Sequence, residues 1–305
     1  MTDDRRILAG HLSALGTIFL WGTTFISTKV LLATFTPVEI LLIRFLLGYL
    51  CLWLVYPHRM AFRPIKEELL FVACGLTGVT LYFLFENTAI DYSLASNVGV
   101  IVSIAPLFTG ILASIFLHEE KISAQFVLGF LLSISGIIVI GYNGSTVLKL
   151  NPMGDILAVL AAATWAVYSI IMRKISQLKL NTIGVTRKIF FYGLLFMIPV
   201  VSIWGFDVEA SQFLNLTNGL NLLFLGIGAS AICYVTWNWS VGILGAVKTS
   251  VYIYLIPVIS VVASIIFLHE PVTWVAMGGA SLTLLGLYLS ERKVKVKTKE
   301  VYAEL

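Results

Sequence analysis

Charged residues are scarce in this chain. Asp, Glu, Lys and Arg together make up 12% of its 305 residues, whereas 59% are apolar and the mean hydropathy is +0.96. A soluble fold of this size could not bury so many apolar side chains, so the composition predicts an integral membrane protein. The apolar runs are continuous rather than alternating, which favours transmembrane helices over a β-barrel.

Motifs for covalent or metal chemistry are also missing. The three cysteines lie apart, in no CxxC or metal-binding spacing, and we interpret them as small buried residues: Cys51, Cys74 and Cys233. The sequence contains no GxxxxGKS, HExxH or GxSxG motif. We therefore expect no enzyme activity, no metal or cofactor and no direct use of ATP. A short basic tail alone does not predict nucleic-acid binding.

One long stretch of the sequence occurs twice. Residues 106–119, PLFTGILASIFLHE, return as residues 257–270, PVISVVASIIFLHE, at an offset of 151. Asn87 and Asn238 share this offset, and Gly129 and Gly136 recur after a one-residue gap. At an offset of 144, Trp21 pairs with Trp165, Lys29 with Arg173 and Arg44 with Lys188. The chain is therefore predicted to contain two structurally equivalent halves.

The apolar runs predict ten transmembrane helices, five in each half. We expect a first repeat over residues 8–142, a second repeat over 153–290 and a basic tail over 291–305. The ten predicted spans are 8–32, 37–56, 68–88, 93–117, 122–142, 153–173, 183–206, 217–239, 245–268 and 272–290.

The distribution of basic residues predicts the orientation, because Lys and Arg accumulate in cytoplasmic loops. Of the 20 Lys and Arg residues, the predicted outer loops hold only Lys149, and five lie in or at the ends of spans: Lys29, Arg44, Arg187, Lys188 and Lys248. The remaining fourteen fall on one side, so both termini are expected in the cytoplasm and the protein in the cell membrane. Five spans per half would also invert the second repeat relative to the first, a design that recurs in secondary transporters.

These features resemble the drug/metabolite transporter superfamily, in particular its EamA-type ten-helix members. The resemblance covers about residues 10–290 and depends on the tryptophan motifs FLWGTTF and ATWAVY and on the two fourth-helix prolines followed by HE. It implies a secondary transporter with a central cavity between the repeats and with spans five and ten at the periphery. It does not define the cargo.

Candidate substrate-binding residues are aromatic or polar and lie on the spans expected to line a cavity. Organic ligands are usually held by apolar and aromatic walls with a few polar anchors. The repeats diverge at Lys248 and Tyr252, four residues apart, which we interpret as a candidate carboxylate clamp. Interfacial anchoring and interhelical contact remain alternatives for all of them. The candidates are Trp21, Phe25, Tyr82, Asn87, Trp165, Tyr168, Asn238, Lys248 and Tyr252.

A second group consists of candidate hinge and gating residues. Pro106 and Pro257 fall near the middle of their spans, where proline deletes a backbone hydrogen bond and bends a helix. The carboxylates and cations of this group lie near helix ends, where they could gate the cavity, cap helices or extend to the interface. They are Glu119, Glu270, Lys29, Arg44, Arg173 and Lys188.

Acidic residues are missing from the middle of every predicted span, and the nearest is Glu86 toward the outer end of span three. This absence favours facilitated diffusion or exchange over obligatory proton coupling. We predict a transporter that moves a small organic metabolite, an amino acid or related amphipathic solute, by alternating access and in the export direction. The alternatives are a lipid or lipid-linked flippase and a non-transporting membrane scaffold.

Overall fold

The structure is a computed structural model that describes residues 3–93, 95–117, 123–142, 151–259, 262 and 274–291. The described residues form helices, turns and loops and contain no strand. The helices are α1 Asp3–Leu31, α2 Pro37–Val55, α3 Ile65–Tyr92, α4 Ala95–Val102, α5 Ala105–Phe116, α6 Ala124–Tyr142, α7 Pro152–Ser176, α8 Thr182–Trp204, α9 Ala210–Leu214, α10 Leu216–Leu244, α11 Ala246–Ile259 and α12 Trp274–Glu291.

Six of these helices, α1, α2, α3, α7, α8 and α10, are long and apolar enough to cross a membrane. Helices α5, α6, α11 and α12 are apolar but shorter over their described residues. The predicted all-helical, multi-pass membrane protein is thereby confirmed at the level of fold class. The inverted arrangement of two five-helix repeats stays a prediction.

Local sequence signals explain where several helices begin. Thr36 accepts a hydrogen bond from the backbone N–H of Glu39, whose side chain accepts one from the backbone N–H of Thr36, a capping box at the start of α2. Asn151 and Asn181 cap α7 and α8: the side-chain oxygen of each accepts a hydrogen bond from the backbone N–H three residues later, that of Gly154 and that of Gly184. These caps satisfy amide groups that lipid cannot satisfy.

Helices α3 and α10 each contain a π-helical segment, Leu76–Leu81 in α3 and Phe224–Ile232 in α10. At an offset of 151, Leu76–Leu81 corresponds to residues 227–232, so the irregularity recurs at the same place in both halves. Helix α8 packs on the π segment of α3, and α2 packs on that of α10. Each half is therefore packed against the other rather than forming a separate domain.

The fourth span of each half is irregular just before its proline. Helix α4 ends at Val102, and α5 begins at Ala105 with Pro106 in its first turn. In α11, a 3₁₀ turn at Tyr252–Tyr254 precedes Pro257. The span is therefore interrupted just before Pro106, which lies in the first turn of a new helix, where proline's missing N–H leaves no bond unmade. A hinge motion at either proline stays a prediction.

Helices α6 and α12 pack mainly against each other and only lightly against the remaining described helices. Glycines allow the close approach. A Cβ atom on Gly136 would lie 2.5 Å from the carbonyl oxygen of Gly279, and one on Gly286 would lie 2.5 Å from that of Gly129. Small residues at such crossings let membrane helices pack backbone to backbone. This pair lies at one side of the bundle and leaves the centre to the other helices.

Candidate functional site

A buried cavity lies where helices of both halves meet. Arg44, Glu86 and one threonine line it, and the rest of its wall is apolar or aromatic. The lining residues are Trp21, Thr24 and Phe25 from α1, Arg44 from α2, Tyr82, Phe83 and Glu86 from α3, Val102 from α4, Trp165 from α7, and Ile253 and Ile256 from α11.

Residues that are equivalent in the two halves face each other in this cavity. The indole rings of Trp21 and Trp165 lie 5.2 Å apart between centroids in an edge-to-face arrangement. Val102 and Ile253, which are related by the offset of 151, both line the wall. Four of the predicted binding residues are thus brought together in one site: Trp21, Phe25, Tyr82 and Trp165.

The two tryptophans differ in the hydrogen bonds of their indole nitrogens. The Nε1 atom of Trp21 donates to the carbonyl oxygen of Ala229 at 2.9 Å. The Nε1 atom of Trp165 is buried and has no hydrogen-bond partner among the described residues. A buried donor without an acceptor is unfavourable, so this group is available to a polar atom placed in the cavity.

Arg44 and Glu86 supply the charges of the cavity wall. The Nε atom of Arg44 donates to the Ser230 hydroxyl at 3.1 Å, and the guanidinium carbon lies 4.2 Å from the centroid of the Phe83 ring. The hydroxyl of Tyr82 donates to Oε1 of Glu86 at 2.8 Å. The gating candidate Arg44 therefore lies in the cavity wall, and Glu86 lies there with it.

The cavity is narrow in this conformation. The space open to water-sized molecules is about 30 Å³, which suits about two water molecules, because one needs on the order of 10–15 Å³. An organic solute the size of an amino acid would require the wall to move. A second, more open cleft between α1, α8 and α10 has no charged residue among its lining residues.

Three of the predicted binding residues lie outside the cavity wall and hold helices together. The hydroxyl of Tyr168 donates to Oδ1 of Asn238, whose Nδ2 donates to the hydroxyl of Thr186 at 3.0 Å. Nδ2 of Asn87 donates to the carbonyl of Pro37 at 3.2 Å, while its Oδ1 has no partner among the described residues. These contacts favour the interhelical role that was left open for the amides.

The predicted clamp of Lys248 and Tyr252 also lies away from the cavity wall. Lys248 is exposed, and the hydroxyl of Tyr252 is 2.7 Å from Nδ1 of His11 in α1. The 3₁₀ turn that begins at Tyr252 alters the spacing that the helical prediction assumed. The clamp stays a prediction without a contact to the cavity.

The gating candidates Lys29 and Arg173 occupy equivalent places in the two halves. Lys29 donates to the carbonyl of Ile90 at 2.9 Å, near the end of α3, and Arg173 donates to that of Gly242 at 3.0 Å, near the end of α10. A cation at a helix C-terminus satisfies free carbonyls and interacts favourably with the helix dipole. The geometry therefore favours helix capping for both residues.

Lys188, the equivalent of Arg44, has an acidic partner from the other half. Its Nζ lies 2.7 Å from Oε2 of Glu68, and both side chains are largely buried. The hydroxyl of Tyr192 and the backbone N–H of Arg63 also donate to Glu68. The ion pair fixes α3 to α8. Glu119 and Glu270 lie outside the described residues.

Several residues of the site were not predicted from the sequence as binding residues. Thr24, Phe83, Val102, Ile253 and Ile256 line the cavity. Tyr234 lies outside the cavity wall and contacts both tryptophans: its ring centroid is 5.8 Å from that of Trp21 and 5.9 Å from that of Trp165. Because Tyr234 is the equivalent of Phe83 at the offset of 151, the repeat itself carried the signal that could have identified it.

A bundle of apolar helices around an aromatic cavity is an arrangement that membrane transporters for small molecules use. The sequence profile of the EamA-like transporter family matches residues 8–142 and again residues 152–292. The chain belongs to the EamA-like transporter family, within the drug/metabolite transporter superfamily. This family consists of transporters rather than enzymes.

Relatives with recorded names match nearly the whole chain at low identity. An uncharacterized transporter of Archaeoglobus fulgidus is 27% identical over 93% of this chain and 97% of its own length. A probable terminal-alkyne amino-acid exporter of Streptantibioticus cattleyicolor is 25% identical over 93% and 94%. A probable amino-acid metabolite efflux pump of Escherichia coli is 26% identical over 91% and 93%.

The fold is also found in a solved crystal structure. That structure superposes with a TM-score of 0.72, covering 92% of this chain and 96% of the other at 20% sequence identity. At this identity the similarity shows the fold alone.

Proposed function

We propose that this protein is a secondary transporter that exports a small organic solute, an amino acid or a related amphipathic metabolite, by alternating access. The observation that carries the proposal is the buried cavity at the contact between the equivalent residues Trp21 and Trp165. The cavity is too small for such a solute in this conformation, and in our proposal movement of the two halves opens it for binding and release. The two relatives named as exporters of amino acids or their metabolites favour the same cargo class.

An inverted pair of repeats, residues 8–142 and 153–290, would provide the two conformations. Three equivalences support this arrangement: the tryptophan pair, the π-helical segments in α3 and α10, and the capping cations Lys29 and Arg173. Exchange of the conformations of the two halves would convert an inward-open state into an outward-open one. The bias of basic residues supports cytoplasmic termini in the cell membrane, with the tail 292–305 outside the described residues.

The first experiment is a thermal-shift screen of the purified protein against amino acids and related metabolites, because a ligand that binds only the folded state raises its stability. Hits are then tested by counterflow in proteoliposomes that carry no ATP. We expect Trp165→Ala to abolish both signals. Trp204→Ala is the matched control, since Trp204 is 65% exposed and lies outside the cavity wall.

Two results would contradict the proposal. One is the absence of counterflow for every solute that stabilises the protein. The other is rapid movement of labelled lipids between leaflets with no movement of soluble metabolites, which would instead support the flippase alternative.

A further inference from the structure

Two side chains of opposite charge share the cavity wall without forming a direct ion pair. Arg44 is 1% exposed and Glu86 is 7% exposed. No direct ion pair joins them in the part of the chain that the structure describes. Charged groups within a membrane span are unfavourable unless they are paired or face a polar cavity. The two side chains attract each other across the cavity without direct contact, so a solute that bridges them could bond to both charges at once.

The hydrogen bonds that each group does make are to neutral partners. Arg44 bonds to the Ser230 hydroxyl through Nε, and Glu86 accepts from Tyr82 through Oε1. The equivalent cation Lys188 shows the contrast, because its ammonium group contacts the Glu68 carboxylate at 2.7 Å. Arg44 and Glu86 are each held by a neutral hydrogen-bond partner, and neither makes a direct ion pair among the described residues.

The rest of the wall is suited to an apolar group. Trp21, Phe25 and Phe83 present aromatic surfaces, while the unpartnered indole N–H of Trp165 offers one further donor. Ligand sites combine such walls with a few polar groups that fix the orientation. The cavity thus offers a cation, an anion and an aromatic surface within one small space.

We propose that Arg44 and Glu86 form a two-point receptor for a zwitterion. The Arg44 guanidinium binds the carboxylate of the solute, Glu86 with Tyr82 binds its ammonium group, and the aromatic wall contacts its side chain. This assignment rests on the proposed transport function and specifies which residues select the solute. It replaces Lys248 and Tyr252 as the charge-selecting site.

The test uses the whole protein and ligands that differ by one charged group. Phenylalanine is compared with hydrocinnamate, which lacks the ammonium group, and with phenethylamine, which lacks the carboxylate. Leucine is compared with isocaproate and isoamylamine in the same way. We expect each zwitterion to bind at least about tenfold more tightly than either analogue, because a missing charge leaves a buried partner unpaired.

Substitutions then separate the two points of contact. In Arg44→Gln, phenylalanine should lose its advantage over phenethylamine and keep its advantage over hydrocinnamate. In Glu86→Gln, phenylalanine should lose its advantage over hydrocinnamate instead. Arg63→Gln and Glu67→Gln are matched controls, since these residues form an ion pair with about a third of each side chain exposed, outside the cavity wall. They should leave the order of affinities unchanged.

The proposal is overturned if neither zwitterion binds, if the analogues bind as tightly as the zwitterions, or if both variants keep the order of affinities of the unsubstituted protein. If Arg44→Gln fails to fold, the proposal is still tested by the ligand series on the unsubstituted protein and by Arg44→Lys, which keeps the positive charge. Counterflow of metabolites without preference for zwitterions would refute this receptor and leave the transport function standing. Absence of counterflow for every solute that stabilises the protein would refute the transport function itself.

Discussion

Replacement of Gly136 by alanine should loosen the contact between α6 and α12. A Cβ atom at Gly136 would lie 2.5 Å from the carbonyl oxygen of Gly279 and 2.6 Å from the backbone nitrogen of Thr283. Both are main-chain atoms, so relief requires the helices to separate rather than a side chain to rotate. Overpacking of this kind destabilises proteins by about 1–3 kcal/mol.

Gly278 in α12 provides a matched control, because a Cβ atom there meets nothing within 4 Å. Alanine is favoured over glycine in a helix by up to about 1 kcal/mol, and both substitutions share that gain. The difference between Gly136→Ala and Gly278→Ala therefore isolates the helix contact. At roughly 2–4 °C per kcal/mol, we expect the apparent melting temperature of Gly136→Ala to lie several degrees below that of Gly278→Ala.

Apparent melting temperatures of the purified variants in one detergent provide the measurement. Ligand-induced stabilisation should be the same in both variants, because Gly136 and Gly278 lie outside the cavity wall. Equal melting temperatures would refute the close backbone contact of α6 with α12. A selective change in ligand affinity in Gly136→Ala would contradict the peripheral position of this helix pair.

Three further outcomes are expected. Lys188→Met should destabilise the protein by about 3 kcal/mol, because it leaves the Glu68 carboxylate without its cation. Thermal unfolding of the double variant with Glu68→Gln should show partial recovery of stability. Additive losses of stability in the two single variants would contradict the pairing. Tyr168→Phe should lower stability by about 1 kcal/mol through loss of the bond to Asn238, and a changed ligand order would contradict its place outside the cavity wall. Counterflow should persist at equal pH on both sides. Strict dependence of uphill accumulation on a pH gradient would refute uncoupled transport.

Composition and periodicity were sufficient to predict the helical membrane fold, because about 20 apolar residues in a row have few other stable structures in lipid. The details of the fourth spans were not predictable in the same way. The proline predicted an irregularity near Pro106 but not its form, in which α4 stops at Val102 and α5 begins at Ala105. Whether a proline bends a helix or begins a new one depends on the packing of its neighbours, which the local sequence does not contain.

The candidate site was partly predictable from the repeat. Trp21 and Trp165 were identified as equivalent, and the structure places their rings in contact. The different environments of Arg44 and Lys188 could not be predicted, because both are basic residues at equivalent positions. Only the fold brings Glu68, which is 120 residues away in sequence, next to Lys188, while Arg44 is left in the cavity wall.

The charges of the cavity all come from the first half, and this asymmetry has a physical reason if the solute is a zwitterion. At the repeat offsets, the equivalent of Glu86 is Trp237, and the equivalent of Arg44 is Lys188, which is already paired. A site built from equivalent residues would present the same charge to both ends of a ligand. A solute with one positive and one negative end therefore requires the two repeats to differ at the binding site, even where the helices of the two halves stay equivalent.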